Sequence, residues 1–96
     1  MIKSFRNKTA EDIYHGATGR QARKLPANLH GKAKRFFDQL NAAPTISFLK
    51  IPPGNRLEKL SGAYKGYWSI RINDKWRIIF KWIDDDVHDI SIVDYH

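Results

Sequence analysis

The sequence contains no cysteine among its 96 residues, which excludes disulfide bonds and zinc sites built on thiolates. It also has no apolar run near the roughly 20 residues that a membrane-spanning helix requires. Its first eight residues carry Lys3, Arg6 and Lys8 and lack the apolar centre of a signal peptide. We therefore expect a single domain over residues 1–96 in the cytoplasm, neither secreted nor held in a membrane.

Acidic residues are scarce, at ten against 17 Lys and Arg, and the net charge is +7. Residues 1–81 hold all 17 basic residues, whereas residues 82–96 hold five aspartates and no Lys or Arg. Such a basic body indicates a polyanionic partner, for example nucleic acid, the ribosome, an anionic membrane or an acidic protein. The consecutive aspartates 84–86 favour a solvated hairpin tip over a metal cage, while Asp94 stays open as a chemical or a neutralising group. We expect no metal and no cofactor.

The N-terminal half has the signals of two helices. Residues 1–6 alternate loosely and predict a short first strand. Thr9 is of the N-cap type and predicts the start of a helix that Gly16 ends. Pro26 suits the first turn of a longer helix, and Pro44 ends it. Its apolar residues recur every three or four positions, which indicates one buried stripe: Leu29, Ala33, Phe36 and Leu40.

The C-terminal half has the signals of an antiparallel meander. Four short segments rich in β-branched and aromatic residues are separated by turn residues: 56–60, 67–73, 76–83 and 87–93. Because the helices come first and the strands follow, we predict an α+β fold. The two N-terminal helices should pack on one face of the antiparallel sheet.

Apolar alternation predicts the register of the second and third strands. Burying both apolar sets together places Ile72 opposite Trp76 and, further along, Trp68 opposite Phe80, since a slip of one residue would reverse every side chain. On the other face, Arg71 then lies directly opposite Arg77. The same register places Tyr67 opposite Lys81.

The same logic extends to the last strand. Ile90 and Ile92 should join the core, and Asp89 should then lie opposite Lys81. Tyr95 should fall on the arginine face beyond Val93. Parity directs His88 toward the core side, where a packed or rim histidine is expected.

Two arginines directly opposed in a sheet cost up to about 1 kcal/mol. They either splay into water, pair with Asp74 or Asp94, or hold a shared anion. Because Arg71, Arg77, a lysine, a tyrosine and a terminal histidine converge on one helix-free face, we favour a phosphate site.

Five segments carry a family pattern: MIKSF at 1–5, NRLEKLSG at 55–62, GYWSIRIN at 66–73, WRIIF at 76–80 and DYH at 94–96. Together they resemble the HigB (host inhibition of growth) toxins of the RelE/ParE superfamily. The resemblance implies a RelE-like domain whose sheet face cuts mRNA on the translating ribosome. It also implies a cognate helix-turn-helix antitoxin that neutralises the toxin. This chain alone is not expected to bind DNA sequence-specifically.

The resemblance assigns functional positions to Arg71, Arg77, Asp94, Tyr95 and His96. The chain departs from a well-known member at two further positions, with Glu58 in place of a histidine and Ser61 in place of a lysine. Three outcomes stay open: activity is weaker, Glu58 takes part of the role, or another residue does.

RNA cleavage without a metal needs a base for the ribose 2′-OH, cations for the phosphorane charge and an acid for the leaving 5′-oxygen. We assign the phosphorane charge to Arg71 and Arg77. His96 is the best general acid or base, because imidazole ordinarily titrates near neutral pH, and Asp94 orients it or replaces it. Tyr95 stacks on a nucleotide, and Glu58 is a second candidate base. The residues expected to bind RNA are Tyr67, Lys81, Arg20, Arg23, Lys24, Lys32, Lys34 and Arg35.

Two other functions remain open at this point. The related ParE branch poisons DNA gyrase and carries no nuclease chemistry. A basic module that binds RNA without catalysis is the second alternative.

Overall fold

The structure is a computed structural model that describes residues 1–94. In these residues, two α-helices precede a four-stranded antiparallel sheet with the strand order β1-β2-β3-β4, and short 3₁₀ helices lie in the connections. The elements are α1 (Lys8–Tyr14), α2 (His30–Ala42), β1 (Glu58–Lys59), β2 (Trp68–Arg71), β3 (Trp76–Ile83) and β4 (Asp86–Asp94). The predicted α+β fold is therefore confirmed. β1 is shorter than the predicted segment 56–60, and Arg56 before it has a left-handed backbone with φ of 47°.

The N-terminal segment runs parallel to β4 and extends the sheet at that edge. It makes two isolated bridges instead of a continuous strand: Ile2 pairs with Val87, and Phe5 pairs with Ile90. The backbone N–H of Arg6 donates to the carbonyl of Ile90 at 2.7 Å. The predicted first strand thus has the right location, and it holds Arg6 against the sheet.

Helix α1 is capped by Asn7, and the predicted cap at Thr9 is wrong. The Oδ1 atom of Asn7 accepts from the N–H of Ala10 at 3.0 Å and from the N–H of Ile92 at 3.3 Å, and its Nδ2 donates to the carbonyl of Ile92 at 2.9 Å. Thr9 is buried inside the first turn. Asn7 is the cap because one amide serves both the helix and β4. After α1, Gly16 adopts φ of 77°, and the helix ends there as predicted.

The core lies between the helices and one face of the sheet. Within α2, the predicted stripe residues Ala33, Phe36 and Leu40 are buried, and Leu29 packs against them from the preceding turn. They meet the apolar residues of the sheet: Ile70, Ile72, Ile78, Phe80, Val87, Ile90 and Ile92. The helices therefore cover one face and leave the other free of helix. Within residues 1–94, no helix is both long and apolar enough to cross a membrane.

The pairing of β2 with β3 has the predicted register. Trp68 lies opposite Phe80, and Arg71 lies opposite Arg77. The turn between the strands is closed by Asn73, whose Oδ1 accepts from the N–H of Lys75 at 2.9 Å and of Trp76 at 2.8 Å. This side-chain turn fixes the ladder at the end where the two arginines lie.

The pairing of β3 with β4 contains a β-bulge that the sequence did not predict. Lys81 lies opposite His88, not Asp89 as predicted, because Asp89 adopts φ of 53° and is the extra residue. Ser4 stabilises the bulge, since its Oγ accepts from the N–H of Asp89 at 2.9 Å. The bulge turns Val87 into the core and His88 onto the face of Lys81, so the predicted core-side orientation of His88 is wrong.

The acidic tip of the β3–β4 hairpin matches its prediction. Asp84 and Asp85 form a two-residue turn with φ of 51° and 62°. Positive φ at both positions is the geometry of a type I′ turn, which aspartate tolerates. The solvated hairpin tip is therefore confirmed.

We predict that Asn7→Ala lowers the free energy of unfolding by about 2–3 kcal/mol, since it removes the cap of α1 and leaves the backbone of Ile92 without partners. Thermal unfolding followed by circular dichroism measures the loss. Asn28→Ala, at an exposed position, is the matched control and should change stability by less than about 0.5 kcal/mol. Equal effects from both substitutions would contradict the role of Asn7.

Candidate active site

The helix-free face of the sheet carries Arg71 on β2 and Arg77 on β3. The two residues are direct ladder partners, so both side chains project from the same face. Both are mostly buried, with side chains 29% and 19% exposed. The shared face agrees with the register prediction.

The two guanidinium groups lean toward opposite ends of the hairpin. Arg71 donates to the carboxylate of Asp74 in the turn. The Nη1 atom of Arg77 donates to the Oγ of Ser69 at 3.0 Å and lies 3.8 Å from a carboxylate oxygen of Glu58. The sequence analysis favoured two cations converging on one anion and left pairing with Asp74 open as an alternative, and the structure shows that pairing for Arg71. Each arginine instead has its own carboxylate partner in this structure.

Arg77 occupies the more organised environment of the two arginines. Ser69 is fully buried and lies directly opposite Glu58 in the ladder. The guanidinium of Arg77 is therefore oriented by a buried hydroxyl and adjoins a half-exposed carboxylate. A fixed cation can stabilise a developing negative charge, and a carboxylate next to it can accept a proton at the same place. The structure thus places the predicted residue Glu58 beside Arg77.

Asp94 lies at the end of β4, near the β2–β3 turn. It is the ladder partner of Trp76, and its carboxylate is 3.6 Å from the Nζ of Lys75. Alternation along the strand assigns it to the face opposite that of Val93 and Arg77. The predicted site residues Tyr95 and His96 lie outside the described residues.

The middle of the helix-free face is covered, although neither α1 nor α2 lies on it. Ser69, Ile79 and Ser91 form a cross-strand row and are 0%, 0% and 3% exposed. Tyr64, from the loop between β1 and β2, shares a pocket with Ser91. This middle row of the face is therefore covered, whereas charged side chains beside it stay partly exposed, with Glu58 at 51% and Lys81 at 37%.

Aromatic rings and cations alternate above this face. The Nζ of Lys81 lies 5.1 Å from the ring centroid of Tyr67, so the structure brings these two predicted RNA-binding residues together. The guanidinium of Arg6 lies 5.5 Å from the Tyr67 ring and 6.0 Å from the Tyr64 ring. Sequence reasoning missed Arg6 and Tyr64, because only the fold brings the N-terminal segment close to the β1–β2 loop. The local signal in the sequence that could have indicated Tyr64 was its position in a loop between Gly62 and Gly66.

The basic residues of the helical half divide into separate groups. Lys32 donates from Nζ to the carbonyl of Ile72 at 2.6 Å and lines a cleft of about 320 Å³ with Arg71. Lys34 lies beside Tyr14 in a different pocket. The other cations of the predicted RNA-binding set are exposed: Arg20, Arg23, Lys24 and Arg35. Of the helical cations, the structure therefore brings Lys32 next to a predicted catalytic residue.

Comparison with known proteins decides the family. Residues 3–96 match the family model described as the RelE-like toxin of type II toxin-antitoxin system HigB. The chain belongs to the HigB-like toxin family. The sequence resemblance noted above is thus confirmed.

Two relatives and one solved structure illustrate the similarity of this HigB-like toxin to known proteins. Toxin HigB-1 of Vibrio cholerae is 39% identical over 84 residues, which cover 88% of this chain and 86% of the relative. Endoribonuclease HigB of Proteus vulgaris is 35% identical over 101 residues and covers 100% of both chains. In the YoeB-YefM complex from Staphylococcus aureus, one chain superposes with a TM-score of 0.62 at 18% identity, covering 100% of this chain and 98% of that one. This last likeness supports the RelE-type fold.

We predict that Asp74→Asn strengthens binding of a short single-stranded RNA about two- to fivefold, because it frees Arg71 for phosphate and removes one exposed ion pair. Fluorescence anisotropy at low salt measures the affinity. Asp85→Asn at the far hairpin tip changes the net charge equally and serves as the control. An equal gain from both variants would show that total charge, and not the freed Arg71, governs binding.

Proposed function

We propose that this HigB-like toxin is an endoribonuclease that cleaves mRNA on the translating ribosome and so arrests growth. One observation carries the proposal: Ser69 holds the guanidinium of Arg77 on the helix-free face, beside the carboxylate of Glu58. The relative from Proteus vulgaris, which matches over the full length, is named as an endoribonuclease.

The reaction is attack of a ribose 2′-oxygen on the adjoining phosphorus. The bond from O2′ to phosphorus forms and the bond from phosphorus to O5′ breaks, which leaves a 2′,3′-cyclic phosphate and a 5′-hydroxyl. Negative charge grows on the phosphoryl oxygens in the transition state, and Arg77 stabilises it. Arg71 supplies a second cation once phosphate displaces its contact with Asp74. The need for a 2′-OH restricts the reaction to RNA.

Protons are moved by the groups around Arg77 and by the C-terminal residues. Glu58 takes the proton from the 2′-OH, since its carboxylate adjoins the cation that holds the phosphate. His96 gives a proton to the leaving 5′-oxygen, and Asp94 orients it. Tyr95 stacks on a nucleotide. The same resemblance to HigB toxins that assigns Asp94, Tyr95 and His96 supports these roles.

Binding to the ribosome depends on the positive charge of the helical half. The exposed cations of the helical half contact ribosomal RNA phosphates: Arg20, Arg23, Lys24, Lys32, Lys34 and Arg35. Tyr67 and Lys81 contact mRNA on the sheet face. The helical half thus holds the ribosome, while the sheet face holds the mRNA and cleaves it.

The partner that controls this activity is a cognate antitoxin, of the helix-turn-helix type. The structurally similar YoeB is described in complex with YefM, which supports a protein inhibitor for this chain as well. The protein acts in the cytoplasm, where translating ribosomes are found.

Arg77→Ala should reduce single-turnover cleavage of ribosome-bound mRNA about 100- to 1,000-fold, the loss typical of one transition-state donor. Mapping of 5′ ends on purified ribosomes measures the rate. Lys50→Ala removes one exposed positive charge elsewhere and should cleave at the wild-type rate. Undiminished cleavage by Arg77→Ala would remove the central residue of the mechanism.

Glu58→Gln should slow cleavage at least about 100-fold while the affinity for ribosomes stays the same, because the amide cannot accept the 2′-OH proton. The same cleavage assay, paired with ribosome co-sedimentation, separates the two effects. Glu11→Gln on α1 is the matched control. Faster cleavage by Glu58→Gln would mean that Glu58 only competes with phosphate for Arg77.

The two alternative functions give different results in cells. A gyrase poison of the ParE type would accumulate cleaved DNA complexes and leave mRNA intact. A non-catalytic RNA-binding module would inhibit growth equally with and without residues 94–96. The ribonuclease proposal requires new mRNA 5′ ends that disappear when residues 94–96 are deleted.

A further inference from the structure

A pocket of about 200 Å³ opens on the helix-free face, between the N-terminal segment and the loop that joins β1 to β2. Its lining residues are Arg6, Asn7, Tyr64, Ser91 and Val93. Val93 is the ladder partner of Arg77, so the pocket begins at the cross-strand neighbour of the proposed phosphate-binding arginine. Sites for drug-sized molecules occupy about 300–1,000 Å³. This smaller pocket suits a single planar ring system.

One wall of the pocket is the aromatic ring of Tyr64, which neighbouring side chains hold in place. The ring of Tyr64 stands edge-on to that of Tyr67, with centroids 6.1 Å apart and an angle of 84° between the planes. Arg6 contacts both rings, at 6.0 Å and 5.5 Å from their centroids. Tyr64 is therefore preorganised to receive another flat group, and Arg6 adds a positive charge at the pocket rim.

The pocket also contains a hydroxyl whose hydrogen-bonding capacity is unused. Ser91 is 3% exposed, and its buried Oγ has no hydrogen-bond partner among the described residues. A buried hydroxyl normally finds a partner, so an unpaired one in a pocket calls for an explanation. A ligand edge with donors or acceptors would complete it.

Asn7 is not available to a ligand, although it lines the pocket. Both of its amide atoms are engaged with the backbone of Ala10 and Ile92. Recognition therefore depends on the ring of Tyr64, the hydroxyl of Ser91 and the charge of Arg6. A planar ring with polar edges next to a phosphate is the chemistry of a nucleotide.

We propose that this pocket binds the base of a nucleotide that flanks the scissile phosphate held by Arg77. The inference rests on the proposed ribonuclease function and adds a base-binding site to it. Tyr64 stacks on the base, Ser91 hydrogen-bonds to the base edge, and Arg6 neutralises the adjoining phosphate. An acidic segment of a partner protein would use Arg6 alone and leave the ring and the hydroxyl unused.

The test uses the full chain on purified ribosomes, with mRNAs that carry an abasic ribonucleotide on one or the other side of the cleaved bond. For the wild type, one abasic position should slow single-turnover cleavage about tenfold, as expected for the loss of one base–aromatic stack. Tyr64→Leu should slow cleavage of normal mRNA by a similar factor, and the abasic position should then add no further loss. Tyr64→Phe keeps the ring and should restore the wild-type pattern.

Ser91→Ala gives a second test that removes no side-chain hydrogen bond among the described residues. It should leave the thermal unfolding midpoint unchanged and slow cleavage of normal mRNA several-fold, with no effect on the abasic mRNA. This variant decides the matter if Tyr64→Leu fails to fold.

The outcomes distinguish failure of the base-binding proposal from failure of the ribonuclease proposal. If Tyr64→Leu and the abasic site together slow cleavage about a hundredfold, the two changes act independently and the base does not bind at Tyr64. That result would overturn the pocket assignment and leave the ribonuclease proposal standing. Unchanged cleavage together with weaker antitoxin binding would identify a protein-docking site and also overturn it. A wild-type chain that cuts no mRNA at all would overturn the ribonuclease proposal, and the base site with it.

Discussion

The backbone ladder between β2 and β3 is the constraint on which the site depends. Alternating apolar residues on both strands must face the helices, and this requirement places Arg71 directly opposite Arg77 on the other face. The electrostatic cost of that pairing, up to about 1 kcal/mol, is small against the burial of several large apolar side chains. The core therefore determines the position of the cations. Their pairing with Asp74 and Glu58 then offsets the repulsion.

The same alternation explains how far the fold could be predicted. Both sides of the β2–β3 hairpin carry strong apolar periodicity, so one register satisfied both strands. In β4 the buried residues Val87 and Ile90 both face the core although they are three positions apart. In a regular strand, residues at that spacing point to opposite faces. That odd spacing was the available signal for the bulge, and Asp89 is a residue type that tolerates the left-handed backbone. The cap at Asn7 was less predictable, because it is fixed by contacts with β4 from the other end of the chain.

Residues of the candidate site were predictable where they lie on regular strands and not where they come from loops. Arg71, Arg77 and the neighbouring pair of Tyr67 and Lys81 follow from strand parity. The direction in which each guanidinium leans depends on Asp74 and Ser69, and parity does not contain that information. Tyr64 and Arg6 meet through a loop that folds over the sheet. No local pattern specifies such a contact, since the two residues are far apart in sequence and Tyr64 belongs to no periodic segment.

The ion pairs are distributed unevenly between the two halves of the protein, and the halves therefore contribute differently to RNA binding. Each cation of the β2–β3 hairpin lies near a carboxylate, in the pairs Arg71–Asp74, Lys75–Asp94, Arg77–Glu58 and Lys81–Asp89. On the helical half, within residues 1–94, Arg20, Arg23, Lys24, Lys34 and Arg35 make no ion pair. Long-range attraction to RNA thus comes mainly from the helical half, where the positive charge is not neutralised. The sheet face is nearly balanced, so a phosphate that uses both arginines must displace Asp74 from Arg71 to bind there. That requirement favours a substrate already held in place by the ribosome over free RNA in solution.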